Sequence, residues 1–495
     1  MKVLSHGADW DFELLERYDA AIGEVAGEYG LDTYPNQIEI ITSEQMLDAY
    51  ATGGLPVGYP HWSYGKEFIR NEQAYRRGMQ GLAYEIVINS NPCIAYLMEE
   101  NTMATQALVI AHACYGHNSF FKNNHVFQQW TAADAILDYL VFARRYVMKC
   151  EERHGPEAVE EVLDAAHALM SHGVDRYRRP APLTLKAETA RLAEREAHRE
   201  RHFNDLWRTV PEAAAESAPA SQARFPADPQ ENILYFVEKF SPRLEPWQRE
   251  LVRIVRKLAQ YFYPQAQTKV MNEGWATFWH YTILNRLHEK GLVDDGFMLE
   301  FLKSHTNVVC QPSFDSGAYG GLNPYALGFA MFTDIRRICE RPDAEDREWF
   351  PELAGSDWRR SLDFAMRNFK DESFIAQYLS PRLIREFRLF AVADHRSEET
   401  LRVDSIHDDH GYRRVRRLLA RQHAQELRVP DVQIVHYDRD GDRSLTVRHV
   451  RRRGRPLSDA ATEVVAHLRR LWGLAVRLET WEDDVPVGDD VVCPA

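Results

Sequence analysis

The sequence predicts a mainly helical protein that ends in a small α+β domain. Two long blocks carry apolar residues at helical spacing, and a charged, then Ala- and Ser-rich segment separates them. After about residue 390 short apolar strands alternate with helices instead. These observations predict a helical core followed by a module of a different class.

Length, charge and cysteine usage narrow the functional classes. At 495 residues the chain is longer than one hydrophobic core usually serves, so two or more domains are expected. The net charge of -14 argues against non-specific nucleic-acid binding, which needs a dense basic surface. No run approaches the roughly 18 apolar residues of a membrane span, and the six cysteines form no CxxC pair. We therefore expect a cytosolic protein with reduced thiols.

The helical part divides into three segments. Residues 1–186 form the N-terminal half of the core, and residues 231–390 form the second half. Between them, residues 187–230 read as a charged helix that runs into a flexible linker. Within the first half, residues 82 to about 177 read as long helices, interrupted where Asn89-Ser-Asn-Pro92 ends one element and starts the next.

Residues 391–495 form the predicted α+β domain. Its elements follow the order strand, helix, strand, strand, helix, strand, which is typical of a split βαβ, ferredoxin-like module. The predicted strands are Leu389–Ala393, Val432–Tyr437, Ser444–His449 and Ala475–Glu479. No cluster of chemically reactive residue types occurs here, so the sequence favours a protein-binding or assembly role for this domain.

The first candidate site lies in the run Ile110–Asn124, IAHACYGHNSFFKNN. His112 and His117 emerge from an apolar stretch, and a buried imidazole needs a partner, of which a metal ion is one. The two histidines are five apart, about 140° around an ideal α-helix. A metal site therefore requires the helix to end or bulge at Gly116. The alternative is two buried histidines that donate to backbone carbonyls.

The second candidate segment is Met271–Tyr281, MNEGWATFWHY. Glu273 and His280 are seven apart, so their side chains fall within about 20° of each other on one helix face. Ala276 and Thr277 lie between them on that face and leave room for a ligand. The alternative is an intrahelical ion pair or polar contacts between packed helices.

Together the two segments predict a divalent metal site, with zinc as the first choice. The ligands are His112, His117 and Glu273, and His280 is a fourth ligand or a group behind the ligands. Two histidines with one carboxylate, leaving a position for water, are an attested catalytic zinc set.

Ala113 occupies the position at which zinc proteases with an HExxH motif keep the glutamate that activates water. A hydrolase here needs another base, for which Glu99 and Glu100 are candidates by proximity in sequence. Solvated or capping carboxylates are the alternative for both. No P-loop, dinucleotide-binding glycine motif, GxSxG elbow or zinc ribbon occurs in the chain.

Several long, aromatic-rich strings make the chain resemble the SpoVR family, the stage V sporulation protein R-like proteins. They extend over most of the chain to about residue 390. The strings are Tyr59–Lys66, Gly81–Glu85, Ile88–Tyr96, Ile110–Asn124, Gly173–Tyr177, Asn272–Ala276 and Asn323–Gly328.

The family resemblance implies a physiological context but no specific reaction. The family is named for a role in spore cortex formation, yet it occurs widely in bacteria that do not sporulate, and no agreed reaction comes with it. Its genes often accompany a PrkA-type serine protein kinase and a von Willebrand factor A-like protein. The resemblance therefore implies these two proteins as partners.

A second resemblance, at the level of the fold, is to zinc peptidases with a metallopeptidase core. Their first motif has a histidine, a glutamate and a Gly-His, and Glu-Gly-Trp-Ala follows far downstream. His112, Gly116-His117 and Glu273-Gly-Trp-Ala276 match these positions, whereas Ala113 does not. This analogy implies metal binding without the usual base.

The leading hypothesis is a metallohydrolase-like metal site in a cytosolic protein that acts in cell-wall or stress physiology. A rival is a non-catalytic regulatory partner of the kinase module, with the C-terminal domain as the contact. A third interpretation is a cell-wall amidase or peptidase that uses a base elsewhere in the chain.

Overall fold

The fold is seen in a computed structural model, which describes most of the chain. The described residues are 3–51, 58–59, 61, 85–175, 194, 225–226, 228–317, 319–393, 402–405, 407–424, 429–451, 456–457, 460–482, 485–487 and 490–494. Most of the aromatic string 59–66, residues 81–84 and nearly all of the charged segment 187–230 lie outside this set, so their predictions stay predictions.

The chain forms two compact units, each built from two separate stretches. The first combines Met1–Glu161 with Lys257–Val429, and the second combines Val162–Arg256 with Pro430–Ala495. The sequence-based boundaries at 186 and 390 follow changes in composition, whereas each unit joins stretches far apart in the chain. The candidate metal ligands of both helical blocks belong to the first unit.

Helices make up most of the described chain, as the sequence predicts. In chain order they are α1 (Phe12–Tyr29), α2 (Ser43–Ala51), α3 (Met103–Ile110), α4 (Asn118–Asn123), α5 (His125–Trp130), α6 (Ile136–His154), α7 (Pro156–Ala168), α8 (Ile233–Phe240), α9 (Pro246–Gln267), α10 (Lys269–Glu289), α11 (Asp295–Val308), α12 (Pro324–Glu340), α13 (Ala344–Trp349), α14 (Trp358–Asn368), α15 (Asp371–Tyr378), α16 (Pro381–Glu386), α17 (Asp409–Gln422) and α18 (Ala461–Trp472). Among the described helices, none has both the length and the apolar character that crossing a membrane requires.

A three-stranded sheet in the first unit corrects the helical prediction for residues 85–98. Strand β1 (Asn36–Ile41) pairs in parallel with β3 (Cys93–Met98), and β3 pairs antiparallel with β2 (Glu85–Ile88). Apolar runs of four to six residues fit a buried strand and a buried helix equally well, so the pattern alone does not distinguish the two. The sequence does place the break between the two elements correctly, at 89–92.

Helix α10 is the central helix of the first unit and is buried along most of its length. None of its own side chains caps its N-terminus, and a carboxylate from another helix does so instead. The buried Asp371 accepts hydrogen bonds from the backbone N–H groups of Val270 and Met271, at 3.0 and 2.9 Å. A carboxylate at this position satisfies two of the unpaired N–H groups of a helix start.

The second unit contains a sheet whose topology does not confirm the ferredoxin-like prediction. Its strands are β6 (Val432–Tyr437), β7 (Leu445–Val450), β8 (Val476–Glu482), β9 (Val485–Pro486) and β10 (Val491–Cys493). The order is β10-β8-β7-β6, with β9 on β8, and β7 and β8 are direct parallel neighbours.

The first strand predicted for that module lies elsewhere. Strand β4 (Ala391–Ala393) pairs with β5 (Arg402–Ser405) in a separate two-stranded sheet. The strands and the helix predicted between Val432 and Glu479 are present in the predicted order, whereas β5, β9 and β10 were not predicted. The order along the chain does not determine which strands pair.

Candidate metal centre

The backbone between α3 and α4 brings the two histidines to the same side of the helix although they are five residues apart. Residues Ala111–His117 continue α3 as a π-helix before α4 begins. Hydrogen bonds from residue i to i+5 bring residues five apart to nearly the same face, which an α-helix does not do. The rings of His112 and His117 accordingly lie 4.6 Å apart between centroids, at 89° to each other. The bulge that the sequence required is present.

Close glycine contacts bring α10 against this π-helix and against α12. A Cβ atom on Gly116 would lie 2.5 Å from the Cα atom of Ala276, and one on Gly274 would lie 2.3 Å from the backbone of Gly328. Real Cβ atoms do not approach so closely, so larger residues would push the helices apart. These glycines therefore determine how near Glu273 comes to the histidines.

Four side chains converge on one point in the first unit. The Nε2 atom of His112 lies 3.3 Å from Glu85 Oε1 and 3.7 Å from Glu273 Oε2. The Nε2 atom of His117 lies 3.8 Å from Glu85 Oε1 and 3.4 Å from Glu273 Oε2. Ligands about 2.1 Å from a tetrahedral ion are roughly 3.4 Å from one another. The four separations match that spacing.

Glu85 is the member of this set that the sequence analysis missed. It is the first residue of β2, its side chain is mostly buried, and it forms a metal-compatible cluster with His112 and His117. A carboxylate that leads directly into the apolar run Ile86-Val87-Ile88 was the available signal. The predicted bases Glu99 and Glu100 are instead exposed in a turn after β3.

The orientation of His117 is set by Asn272, the first residue of the Asn-Glu-Gly-Trp-Ala string. The Nδ1 atom of His117 lies 2.9 Å from the amide oxygen of Asn272. Because an amide oxygen only accepts, Nδ1 carries the proton and Nε2 presents its lone pair to the carboxylates. In the described part of the chain, Glu273 Oε2 is buried and accepts no hydrogen bond.

The structure places His280 behind His112 and not beside the carboxylates. Its Nδ1 atom lies 2.9 Å from Nδ1 of His112, on the side of the ring away from the carboxylates, and its Nε2 atom lies 2.8 Å from Nδ1 of His305. Both ring nitrogens are therefore occupied, and His280 supports His112 from behind. Cys114 is a fully buried core residue.

The pKa values of the two carboxyl groups are shifted in opposite directions. Burial raises the pKa of Glu85 to about 7. The charge of His112 opposes this rise, and the charge of Glu273 adds to it. Burial also raises the pKa of Glu273, but its interactions with His112 and His117 outweigh burial and lower it overall. Burial, followed by the charge of His112, lowers the pKa of His117 to about 4. At neutral pH Glu273 is ionised and His117 is neutral, the states in which both can bind a metal ion.

The Asn-Pro-Tyr string adds a phenol to the site. The side chain of Asn323 caps α12 by accepting from the backbone N–H of Tyr325 at 2.9 Å, and Pro324 occupies the first turn. The hydroxyl of Tyr325 hydrogen-bonds to Glu273, and its ring stacks 6.2 Å from that of His112. The tight start of α12 thus positions a side chain at the site.

Comparison with known proteins agrees with these motifs. The family model described as SpoVR like protein matches residues 9–428, and the SpoVR-like C-terminal domain matches residues 430–483. A protein of Escherichia coli (strain K12), described as uncharacterized protein YcgB, is 58% identical over 481 residues, which cover 97% of this chain and 94% of that relative. No solved structure matches the chain. The chain therefore belongs to the SpoVR family.

Proposed function

We propose that the first unit binds one divalent metal ion through His112, His117 and Glu273, with Glu85 beside it. One observation carries the proposal. The lone pair of His117 Nε2 faces the Glu273 Oε2 atom at 3.4 Å, and both atoms are acceptors. Two buried acceptors repel each other unless a proton or a metal ion lies between them, and at neutral pH the lowered pKa values of His117 and Glu273 leave no proton there.

Zinc fits this set of nitrogen and oxygen ligands best. With two imidazoles and one carboxylate as ligands, a fourth position stays open for a water molecule, whose pKa the ion lowers. Glu85 then occupies the place of the base that Ala113 cannot supply, because its carboxyl group reaches the same point from strand β2. The chemistry that follows is metallohydrolase-like, in a metallopeptidase-like arrangement whose base comes from another segment.

Metal analysis of the purified full-length protein tests the proposal. After dialysis against zinc, cobalt or manganese, we expect about one equivalent in the wild type and none in a His112→Ala/Glu273→Ala variant. The matched control is His125→Ala/Glu99→Ala, which removes the same residue types from exposed positions nearby. Equal metal content in the wild type and the site variant would contradict the proposal.

The substitution Glu85→Gln tests whether Glu85 acts as a metal ligand or as a catalytic base. As a ligand, Glu85 is needed for tight binding, so the substitution lowers metal affinity strongly. As a base, Glu85 is not needed for metal binding, so the variant keeps its metal and loses hydrolysis of any substrate found for the wild type. We take Glu85 as the base because two imidazoles and one carboxylate already form a complete catalytic set.

The physiological setting is part of the same proposal. We infer from the family that the site serves cell-wall or stress physiology, including spore cortex formation in organisms that make spores. The third interpretation, a cell-wall amidase or peptidase, is a more specific version of the same proposal.

A regulatory role is the second candidate, and one observation favours it. The sheet at 430–483 is matched by its own family model and contains none of the four converging side chains. In this view the full chain binds a PrkA-type serine kinase or a von Willebrand factor A-like protein. The test is copurification of each partner with wild type and with His112→Ala/Glu273→Ala. Partner binding that persists without the metal site favours regulation, and no binding by the wild type contradicts it.

A further inference from the structure

Three buried histidines form a continuous line that leads away from the candidate metal centre. His112 belongs to the π-helix, His280 to α10 and His305 to α11. The two nitrogen–nitrogen separations are 2.9 Å and 2.8 Å, both within hydrogen-bond distance. The three residues are 4%, 0% and 6% exposed, so bulk water does not compete for these bonds.

A hydrogen-bonded line of neutral imidazoles has only two arrangements of its protons. Each neutral ring carries one N–H group and one lone pair. If His112 donates from Nδ1, His280 accepts at Nδ1, and its own proton must lie on Nε2. His280 then donates to Nδ1 of His305, whose proton lies on Nε2 in turn. The reverse arrangement places the proton of His112 on Nε2, the atom that faces Glu85 and Glu273.

We propose that His280 and His305 are positioning residues that hold His112 in the arrangement with its lone pair on Nε2, ready to bind the metal ion. This inference rests on the proposed metal site and adds two residues to it. His117 is held in the matching state by the amide oxygen of Asn272. Both imidazoles thus present the same atom, Nε2, and each has a side chain behind it at Nδ1, to which His112 adds a hydrogen bond with the backbone of Ala276.

The surroundings of His305 argue for a specific role and against simple filling of the core. Its ring packs among Tyr281, Phe301 and Phe329, with centroids 4.8, 5.9 and 5.0 Å away. In such aromatic surroundings a phenylalanine would fill the space without burying polar atoms. A histidine is useful there because Nδ1 accepts the bond from His280.

Zinc affinity of the full-length protein tests this relay, the hydrogen-bonded line of His112, His280 and His305. We expect His305→Phe, which removes the acceptor but keeps an aromatic ring, to weaken zinc binding by about 10- to 100-fold. His305→Asn restores an acceptor near the position of Nδ1 and should bind zinc close to wild type. Equal affinities in wild type and His305→Phe would overturn the inference. Equal weakening in both variants would also overturn it, since that pattern reports only lost packing.

The ring protons themselves give a second readout, which does not depend on a variant's folding. In zinc-loaded wild type labelled with ¹⁵N-histidine, the shifts of His280 and His305 should show the proton on Nε2 and the lone pair on Nδ1. Assignment comes from the signals lost in His305→Phe and His280→Gln. If zinc binds but either ring carries its proton on Nδ1, the relay is wrong and the metal site stands. If the wild type binds no zinc, both fail together.

Discussion

Two buried carboxylates, one in each unit, differ in how their oxygens are satisfied. Glu238 in the second unit is 2% exposed, and its oxygens accept from Arg253 and Arg256 at 3.0 and 2.9 Å. The Glu273 side chain in the first unit is 17% exposed, but its Oε2 atom is buried and has as neighbours the lone pair of His117 at 3.4 Å and His112 at 3.7 Å. Both residues thus hold a buried carboxylate oxygen, and the partners of that oxygen differ.

With the proposed metal site, this difference separates a structural carboxylate from one that serves a ligand. A buried charge that is fully paired within the protein stabilises the fold when it is kept and destabilises it when one partner is lost. A buried oxygen that faces another acceptor contributes little to the fold without an added cation. The chain tolerates such an arrangement where binding compensates for it, which is typical of functional sites.

The largest expected effect is on the stability of the protein without metal. Glu238→Ala leaves the buried guanidinium of Arg256 without its carboxylate, which costs about 3–5 kcal/mol of unfolding free energy. Glu273→Ala removes a group whose Oε2 atom is unsatisfied, so we expect about 1 kcal/mol, the average for a point substitution. Urea unfolding of both variants in chelator measures the two values. A loss at Glu273 as large as that at Glu238 would remove the distinction.

Added zinc should bring the stability losses of the two variants close together. At a free zinc concentration of 100 times Kd, binding to the folded state adds about 2.7 kcal/mol to the free energy of unfolding. The increment should persist in Glu238→Ala and disappear in Glu273→Ala. Thermal unfolding with and without zinc measures it, and calcium serves as a control ion that prefers all-oxygen sites. An increment that survives in Glu273→Ala would place the ion elsewhere.

A smaller effect is expected from the residue that orients His117. Asn272→Ala removes the acceptor at Nδ1 and should weaken zinc binding by about 10- to 100-fold, the range for groups behind a metal ligand. Asn285→Ala is the matched control, because Asn285 lies on the same helix and its amide donates only to a backbone carbonyl. Titration with zinc against a chromogenic chelator gives both affinities. Equal affinities for the two variants would show that His117 needs no such support.

The sequence predicted which residues converge better than it predicted the geometry that joins them. His112, His117 and Glu273 could be found because imidazole and carboxylate are rare in apolar runs, and such groups need partners wherever they are buried. Gly116 was identified as the place where the helix must depart from α-geometry, and the π-helix spans it. Neither the π-helix itself nor the contact of Gly116 with Ala276 follows from local pattern, because both depend on the packing of two distant segments.

Glu85 shows where pattern reasoning ends. Its role depends on strand β2, and the residues around it were read as helix because a four-residue apolar run has no reliable period. Likewise His305 carries no signal of its own, since a single histidine in an amphipathic helix is usually an ordinary side chain. Its place behind His280 follows only from the way α11 packs beside α10.

The smallest and most gradual effect concerns acid. Burial raises the pKa of Glu238, but Arg256, Lys239 and Arg253 outweigh it, so the folded pKa lies below the ordinary value of 4.5. A lowered folded pKa means that the carboxylate stabilises the fold fully above about pH 4.5 and loses that contribution as pH falls through the folded value. The difference in unfolding free energy between wild type and Glu238→Gln should therefore be constant from pH 8 to 6 and narrow below about pH 4.5. A difference that stays constant down to pH 3 would mean that Glu238 acts through packing, and the contrast with Glu273 would then rest on shape and not on charge.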